Sequence, residues 1–132
     1  MSAIRGRGTK PELRVRTALK RAGLRLADTS ARRLPGRPDA LVPSRRSAVF
    51  VHGCFWHRHP GCRFATTPST NVAFWREKFD ANVRRDARVA RALRKAGWRV
   101  HVVWACRIDD AALARLVARV TGKPVATIRR RF

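Results

Sequence analysis

Within nine residues, from Cys54 to Cys62, the chain crowds two cysteines and two histidines, with Phe55 and Trp56 between them. Cys54, His59 and Cys62 have the spacing C-x4-H-x2-C, and the third cysteine, Cys106, follows a valine-rich run at residues 98–104. Two thiolates and an imidazole from one loop, joined by a distant thiolate, make a Cys3His set, which tetrahedral zinc favours for structural sites. Four protein ligands leave no open position for water, so this zinc is predicted to hold structure and not to hydrolyse anything. The competing reading is three buried free cysteines beside a surface histidine, but the loop is short and polar, a poor place to bury thiols. An odd number of cysteines in a small chain argues against a disulfide framework.

His52 and His57 lie outside that set, and each flanks the same turn. A neutral imidazole can take a proton from water, as a general base must; an ordinary core or surface histidine is the alternative, and spacing does not decide. Asp39, preceded by Pro-Gly-Arg-Pro, is one of only 8 acidic residues. A carboxylate at a strand edge can hold magnesium beside a bound phosphate, whereas a plain turn-capping aspartate would do nothing chemical. Phe55 and Trp56 sit in the loop, where little core surface is available. Trp75 lies near the start of a long helix, where a place in the core stripe competes with an exposed role. Aromatic wedges inserted between base steps unstack and kink DNA.

Several elements must position these groups. Thr9 reads as an N-cap with Glu12 completing a capping box; Val15, Leu19 and Ala22 follow at helical spacing and Gly23 stops the helix. Residues 24–27 are predicted as a first short strand. The Pro-Gly-Arg-Pro segment forms a turn-rich entry to a second strand at 39–42, which a turn at 43–47 joins to a third at 48–52. Thr70 or Asn71 caps a long helix over 72–96, with Val72, Trp75, Phe79, Val83, Ala90 and Leu93 on its apolar stripe. Residues 98–104 read as a central strand buried on both faces. Asp109 and Asp110 open a last helix that Gly122 ends. The order gives one α/β layered domain over 1–132, with a basic arm at 1–8 and a basic tail at 123–132.

Lys and Arg number 31 against 8 Asp and Glu, a net charge of +23 in 132 residues. Self-repulsion of that size opposes folding and points to a polyanionic partner, nucleic acid first. No helix pairs a broad apolar face with a basic one, so an anionic membrane is the weaker candidate. A hydrophobic content of 45% is too high for a disordered chain. No apolar run reaches a membrane span or resembles a signal peptide, and the expected location is the cytoplasm.

The motifs Leu34-Pro-Gly-Arg-Pro-Asp39, Val51-His-Gly-Cys-Phe-Trp-His-Arg-His59, Phe74-Trp-Arg-Glu-Lys78, Asn82-Val-Arg-Arg-Asp86, Gly97-Trp-Arg-Val100 and Val103-Trp-Ala-Cys106 resemble the very-short-patch-repair (Vsr) mismatch endonucleases, in order from about Ile4 to Cys106. The resemblance implies a restriction-endonuclease-like three-layer fold, a central mixed sheet flanked by helices. It also implies nicking of one strand of duplex DNA 5′ to the thymine of a T·G mispair left by deamination of 5-methylcytosine. By the same resemblance Asp39 binds a catalytic magnesium, His57 activates the attacking water, and His52 assists at the scissile phosphate. Glu12 falls where the family has a glutamate holding a metal-bound water. Cys54, His59, Cys62 and Cys106 match structural zinc ligands, and Phe55, Trp56 and Trp75 match the aromatics that wedge beside the mispair. Val51 stands where the family has a threonine whose backbone carbonyl contributes to the magnesium site; a carbonyl survives that exchange, a hydroxyl does not. The expected state is a monomer acting on mismatched duplex DNA near the nucleoid of a prokaryote, with other mismatch-repair proteins as partners. Two rivals follow from the residues: a non-catalytic zinc-stabilised protein that binds distorted duplex, and a nuclease of the same fold with another specificity.

Overall fold

The computed structural model describes residues 10–28 and 34–123. Along them run α1 (Lys10–Arg21), β1 (Ala40–Val42), β2 (Ser47–His52), α2 (Cys54–His57), α3 (Val72–Lys95), β3 (Arg99–Trp104) and α4 (Asp110–Thr121). Thr9, the arm at 1–8, part of the loop before Leu34 and the tail from residue 124 lie outside the described residues. No described helix is long and apolar enough to cross a membrane.

Among the described residues the strands form one mixed sheet in the order β1-β2-β3. β1 and β2 make an antiparallel hairpin with Ala40 opposite Val49. β2 and β3 are parallel, from Ser47 opposite Arg99 to His52 opposite Trp104. Parallel neighbours require a long crossover, and α3 supplies it.

Side-chain alternation along the strands divides the core in two. Val49 and Val103 join Ala40 and Val42 against Val15, Ala18 and Leu19 of α1 and Leu113, Leu116, Val117 and Val120 of α4. Ala48 turns the other way and packs with Leu41, Leu93 and Trp98, supported by Phe50, Val89 and Val100. Helices therefore cover both faces, α1 and α4 on one and α3 on the other. Leu19 and Leu116 are wholly buried, and truncating either to alanine costs about 2–5 kcal/mol.

Helix ends follow local chemistry. The Asp109 side chain accepts from the Ala112 N–H at 2.8 Å, as the expected start of α4 requires. Asn71 caps α3 in a left-handed conformation without a side-chain bond. At its far end, Arg46 donates to the carbonyls of Ala96 (3.0 Å) and Gly97 (3.3 Å) and lies over the Trp98 ring, tying the hairpin turn to the end of α3. His101, the one histidine with no expected function, is buried against the Ser47 hydroxyl at 3.2 Å. Burial, then Arg99 and Arg119, push it down to about 4.

Three expectations fail. Val72 and Val83, expected on the apolar stripe of α3, are exposed at 39% and 44%. Residues 24–27 are not a strand: Ala27 donates one bond to the Leu41 carbonyl, but β1 is three residues long and offers no ladder, while Leu24 and Leu26 pack on the α1/α4 core. Residues 98–104 are not the sheet centre either. β2 is central, and β3 starts at Arg99 and lies at the edge, with Val102 37% exposed. Its run of valines serves two different surfaces: Val103 faces the α1/α4 core, whereas Val100 and Val102 line an open cleft.

Candidate active site and metal centre

β2 ends at His52, and Gly53 carries the chain in an extended conformation into the single turn of α2. The turn is closed by backbone bonds from His57 to Gly53 and from His59 to Cys54, both 3.1 Å. Arg58 then adopts a left-handed φ of 53°. Its guanidinium donates to the carbonyls of Phe55, Ala65 and Thr66 and to the Thr67 hydroxyl, and stands 3.9 Å over the Phe79 ring. One arginine thus binds the returning loop to α2 and α3. Successive side chains leave this short turn in different directions, which splits the segment into two sites.

Cys54, His59, Cys62 and Cys106 present donor atoms within 4.8 Å of one another, as metal binding requires. The His59 Nδ1 lies 3.6 Å from the Cys54 Sγ and 3.4 Å from the Cys106 Sγ, and Cys62 and Cys106 are 3.9 Å apart. The Ala105 N–H bonds the His52 carbonyl at 3.0 Å, so the end of β3 is pinned to the end of β2 and Cys106 reaches the loop. Trp104 stacks on the His59 ring at 4.2 Å, fixing its plane. Burial above all pushes the Cys54 thiol up to about 11, whereas the backbone N–H of Phe64 first of all lowers Cys62. A buried thiol that resists ionisation beside two others is well matched to a cation that stabilises thiolate. The cluster can hold a metal ion.

The second site is a cleft of 370 Å³ between α3 and the β2–β3 face, lined among others by Asp39, His52, Trp56, His57 and Asp86. The His57 Nδ1 and the Asp86 Oδ2 are 2.6 Å apart. A carboxylate only accepts, so Nδ1–H donates and Nε2 is left free to take a proton. The His52 ring stacks on His57 at 3.9 Å, nearly parallel. Burial first, and then the charge of His57, lower His52 to about 4 against the pull of Asp86, so His52 is neutral near pH 7. His52, His57 and Asp86 also lie close enough to hold a cation together.

Asp39 closes the other end. Its Oδ2 accepts the Val51 N–H at 2.6 Å, and its backbone carbonyl accepts from Arg16. Burial raises the carboxyl to about 7, helped by the neighbouring Glu12 and opposed by the Val51 N–H and Arg16. A carboxyl whose ionisation is opposed by burial and by a neighbouring carboxyl invites a cation beside it. A residue's N–H and C=O leave a strand on the same edge, so the Val51 carbonyl also faces Asp39, beyond the last β1 pair at Ala40–Val49. The Asp39 carboxyl and the Val51 carbonyl are oxygen donors that suit a hard cation, and Glu12 stands beside Asp39.

The aromatic residues form one cluster. Phe55 meets Trp56, Trp75 and Phe79 at ring distances of 5.1, 6.0 and 5.1 Å. Phe79 is buried and Trp75 half-buried, while Trp56 and Phe74 stand out at 45% and 54% exposure. Trp75, half-buried, lies between the buried Phe79 and the exposed Trp56, its ring in contact with both.

Asp86 is the cleft residue that reading the residues in order misses. It sits in the charged run Arg84-Arg85-Asp86-Ala87-Arg88, where it looks like a solvated helix charge. The available signal was its phase: positions 75, 79, 82, 86 and 93 share one helical face, and Asn82 and Asp86 interrupt an apolar stripe there.

The family profile described as DNA mismatch endonuclease Vsr matches residues 1–63. The chain is 45% identical to the type II nicking enzyme V.XorIIP of Xanthomonas oryzae pv. oryzae, an alignment covering 91% of this chain and 85% of that protein. It is 41% identical to the DNA mismatch endonuclease Vsr of Escherichia coli over 93% of this chain and 82% of the relative. It is 37% identical to the type II nicking enzyme V.NmeAIP of Neisseria meningitidis over 87% and 81%. With paired imidazole and carboxylate in one cleft and relatives named as endonucleases and nicking enzymes at this identity, the chain belongs to the Vsr family of DNA mismatch endonucleases.

Proposed function

We propose that this protein is a magnesium-dependent endonuclease that nicks one strand of duplex DNA 5′ to the thymine of a T·G mispair, with a structural zinc in the Cys3His cluster. The observation that carries the reading is the meeting, in one open cleft, of the His57–Asp86 pair and the Asp39 carboxyl. Nε2 of His57 accepts a proton from water as the water oxygen attacks phosphorus. Asp86 holds the ring in the required tautomer and stabilises the imidazolium that forms. The P–O ester bond in line with the attack breaks, and the departing oxygen takes up a proton from solvent. Neutral His52, stacked behind His57, donates to the phosphate. Asp39 and the Val51 carbonyl would hold magnesium, with Glu12 positioning a water bound to it, and the ion would supply charge neutralisation at the phosphate.

Zinc is supported by the spacing of its ligands. Tetrahedral zinc with ordinary bond lengths sets S···N edges of about 3.5 Å and S···S edges of about 3.8 Å. The Cys54–His59, Cys106–His59 and Cys62–Cys106 separations are 3.6, 3.4 and 3.9 Å. The mixed sheet with helices on both faces is compatible with a restriction-endonuclease-like single domain. Exposed Trp56, braced by Phe55 and Trp75, is the wedge at the mispair. The protein acts as a monomer on mismatched duplex in the cytoplasm, and its charge of +23 makes binding fall steeply with salt.

The test is one set of end-labelled duplexes, matched, T·G and other mispairs, with and without magnesium. Expected is a single nick beside the T of T·G, only with magnesium. Binding without magnesium-dependent cleavage would leave a zinc-stabilised binding protein instead. Cleavage of another mispair would retain the chemistry and move the specificity, an outcome the names of the nicking-enzyme relatives keep open.

A further inference from the structure

The cleft has a basic rim that this chemistry does not use. Arg37 enters from the loop before β1 and Arg85 from α3, and both line the same cavity as Asp39, His52, His57 and Asp86. Both are exposed. Arg14, Arg16, Arg46, Arg58 and Arg99 each donate to backbone carbonyls. Arg37 and Arg85, by contrast, have no such partner among the described residues. Arg85 adjoins Asp86 in sequence, yet Asp86 is taken by His57.

The two arginines stand on opposite walls that meet at a fixed point. Gly36 has φ +69°, and a Cβ there would come 2.6 Å from a Val89 methyl. Arg37 is the residue after Gly36, and Arg85 lies one helical turn before Val89. A glycine pressed on a branched side chain therefore sets the separation of the two backbones that carry the guanidiniums.

Charge gives these cations a task. Asp39, Glu12 and Asp86 would repel an incoming phosphodiester, and a guanidinium can grip two phosphate oxygens with its planar fork. We infer that Arg37 and Arg85 form a two-sided clamp on the phosphates of the scissile strand at the mouth of the cleft. The clamp rests on the reading of this cleft as a site of phosphodiester hydrolysis.

Two measurements on the zinc-loaded full chain test it, using a T·G duplex and the variants Arg37→Ala and Arg85→Ala, with Arg115→Ala on α4 as a control. Without magnesium, the slope of log affinity against log salt should fall by about 0.9 for each clamp variant and stay unchanged for the control. With magnesium and saturating protein, single-turnover nicking should slow by about 10- to 100-fold while the melting temperature holds. Unchanged salt slopes overturn the clamp. Reduced slopes with nicking within about twofold of the parent also overturn it, since the arginines then touch the duplex away from the scissile phosphate. If the parent protein binds but nicks no duplex, the endonuclease reading fails by itself and the salt slopes alone judge the clamp.

Discussion

The Cys/His cluster and the Asp39 cleft both start from the end of β2, yet one is closed by its own ligands and the other stands open to solvent. In the cluster, three sulfurs and one imidazole nitrogen face one another within 4.8 Å, close enough to enclose a metal ion. The cleft holds oxygen donors and an imidazole whose Nε2 has no hydrogen-bond partner among the described residues, beside a 370 Å³ space. The single turn of α2 is what allows the contrast: Cys54 is buried toward the cluster while His57, three residues on, is turned toward α3. Rigidity and reactivity are thereby coupled through four residues, since whatever loosens Cys54 also misplaces His57.

Metal removal breaks the comparison hardest. Cys62→Ser, or a chelator that strips zinc, should abolish the cooperative melt, because structural zinc contributes on the order of 10 kcal/mol of folding free energy. Metal analysis should find one zinc per chain in the parent and none in the variant, and added magnesium should not restore the fold. A stripped protein that melts normally but no longer nicks would show that the cluster serves the reaction and not the fold.

Substitutions in the cleft should do the reverse, leaving the melt intact. His57→Ala is expected to lower single-turnover nicking by about 10²- to 10⁴-fold. Asp86→Asn should lose on the order of 100-fold, because an amide can donate to Nδ1 and hold the ring in the wrong tautomer. If Asp86→Asn nicks at the parental rate, the 2.6 Å contact is only structural and His57 is not the base.

The two sites were not equally legible. Metal ligation needs particular residue types, so Cys54, His59 and Cys62 were readable from spacing and Cys106 from the shortage of other thiols. The β1–β2 hairpin, α3 and α4 could be read because capping residues and periodicity both mark them. Asp86 was hidden because its role depends on which way α3 rotates against a sheet contributed by distant segments. The edge position of β3 was hidden for a related reason. An apolar side chain lining a cleft and one buried in a core look alike until the other wall of the cleft is present, as Val102 and Val103 illustrate. Residues 24–27 had a strand's composition and one β-type hydrogen bond, but β1 was too short to pair with them.

The smallest expected effect concerns the cost of keeping Asp39 ready for a cation. Its carboxyl moves from 3.8 to about 7, chiefly through burial and then through Glu12. Between those values the native protein holds a proton that the unfolded chain has released. Stability from this group is therefore complete below about pH 4 and lost as pH rises through 7. Asp39→Asn removes the titration while an amide oxygen can still accept the Val51 N–H. With zinc bound and magnesium absent, the variant should be more stable than the parent at pH 8 by about 1–3 kcal/mol, and the two should converge toward pH 4. Urea denaturation at both pH values measures this, and the difference cancels titration of the Cys/His cluster, which the two proteins share. Magnesium should narrow the gap at pH 8, because it binds the ionised native carboxylate and not the asparagine. A difference that is the same at pH 4 and pH 8 would mean that Asp39 is not strained. Asp39 would then carry no ionisation cost, and of the two sites only the cluster, through its buried Cys54 thiol, would hold a group that resists ionisation.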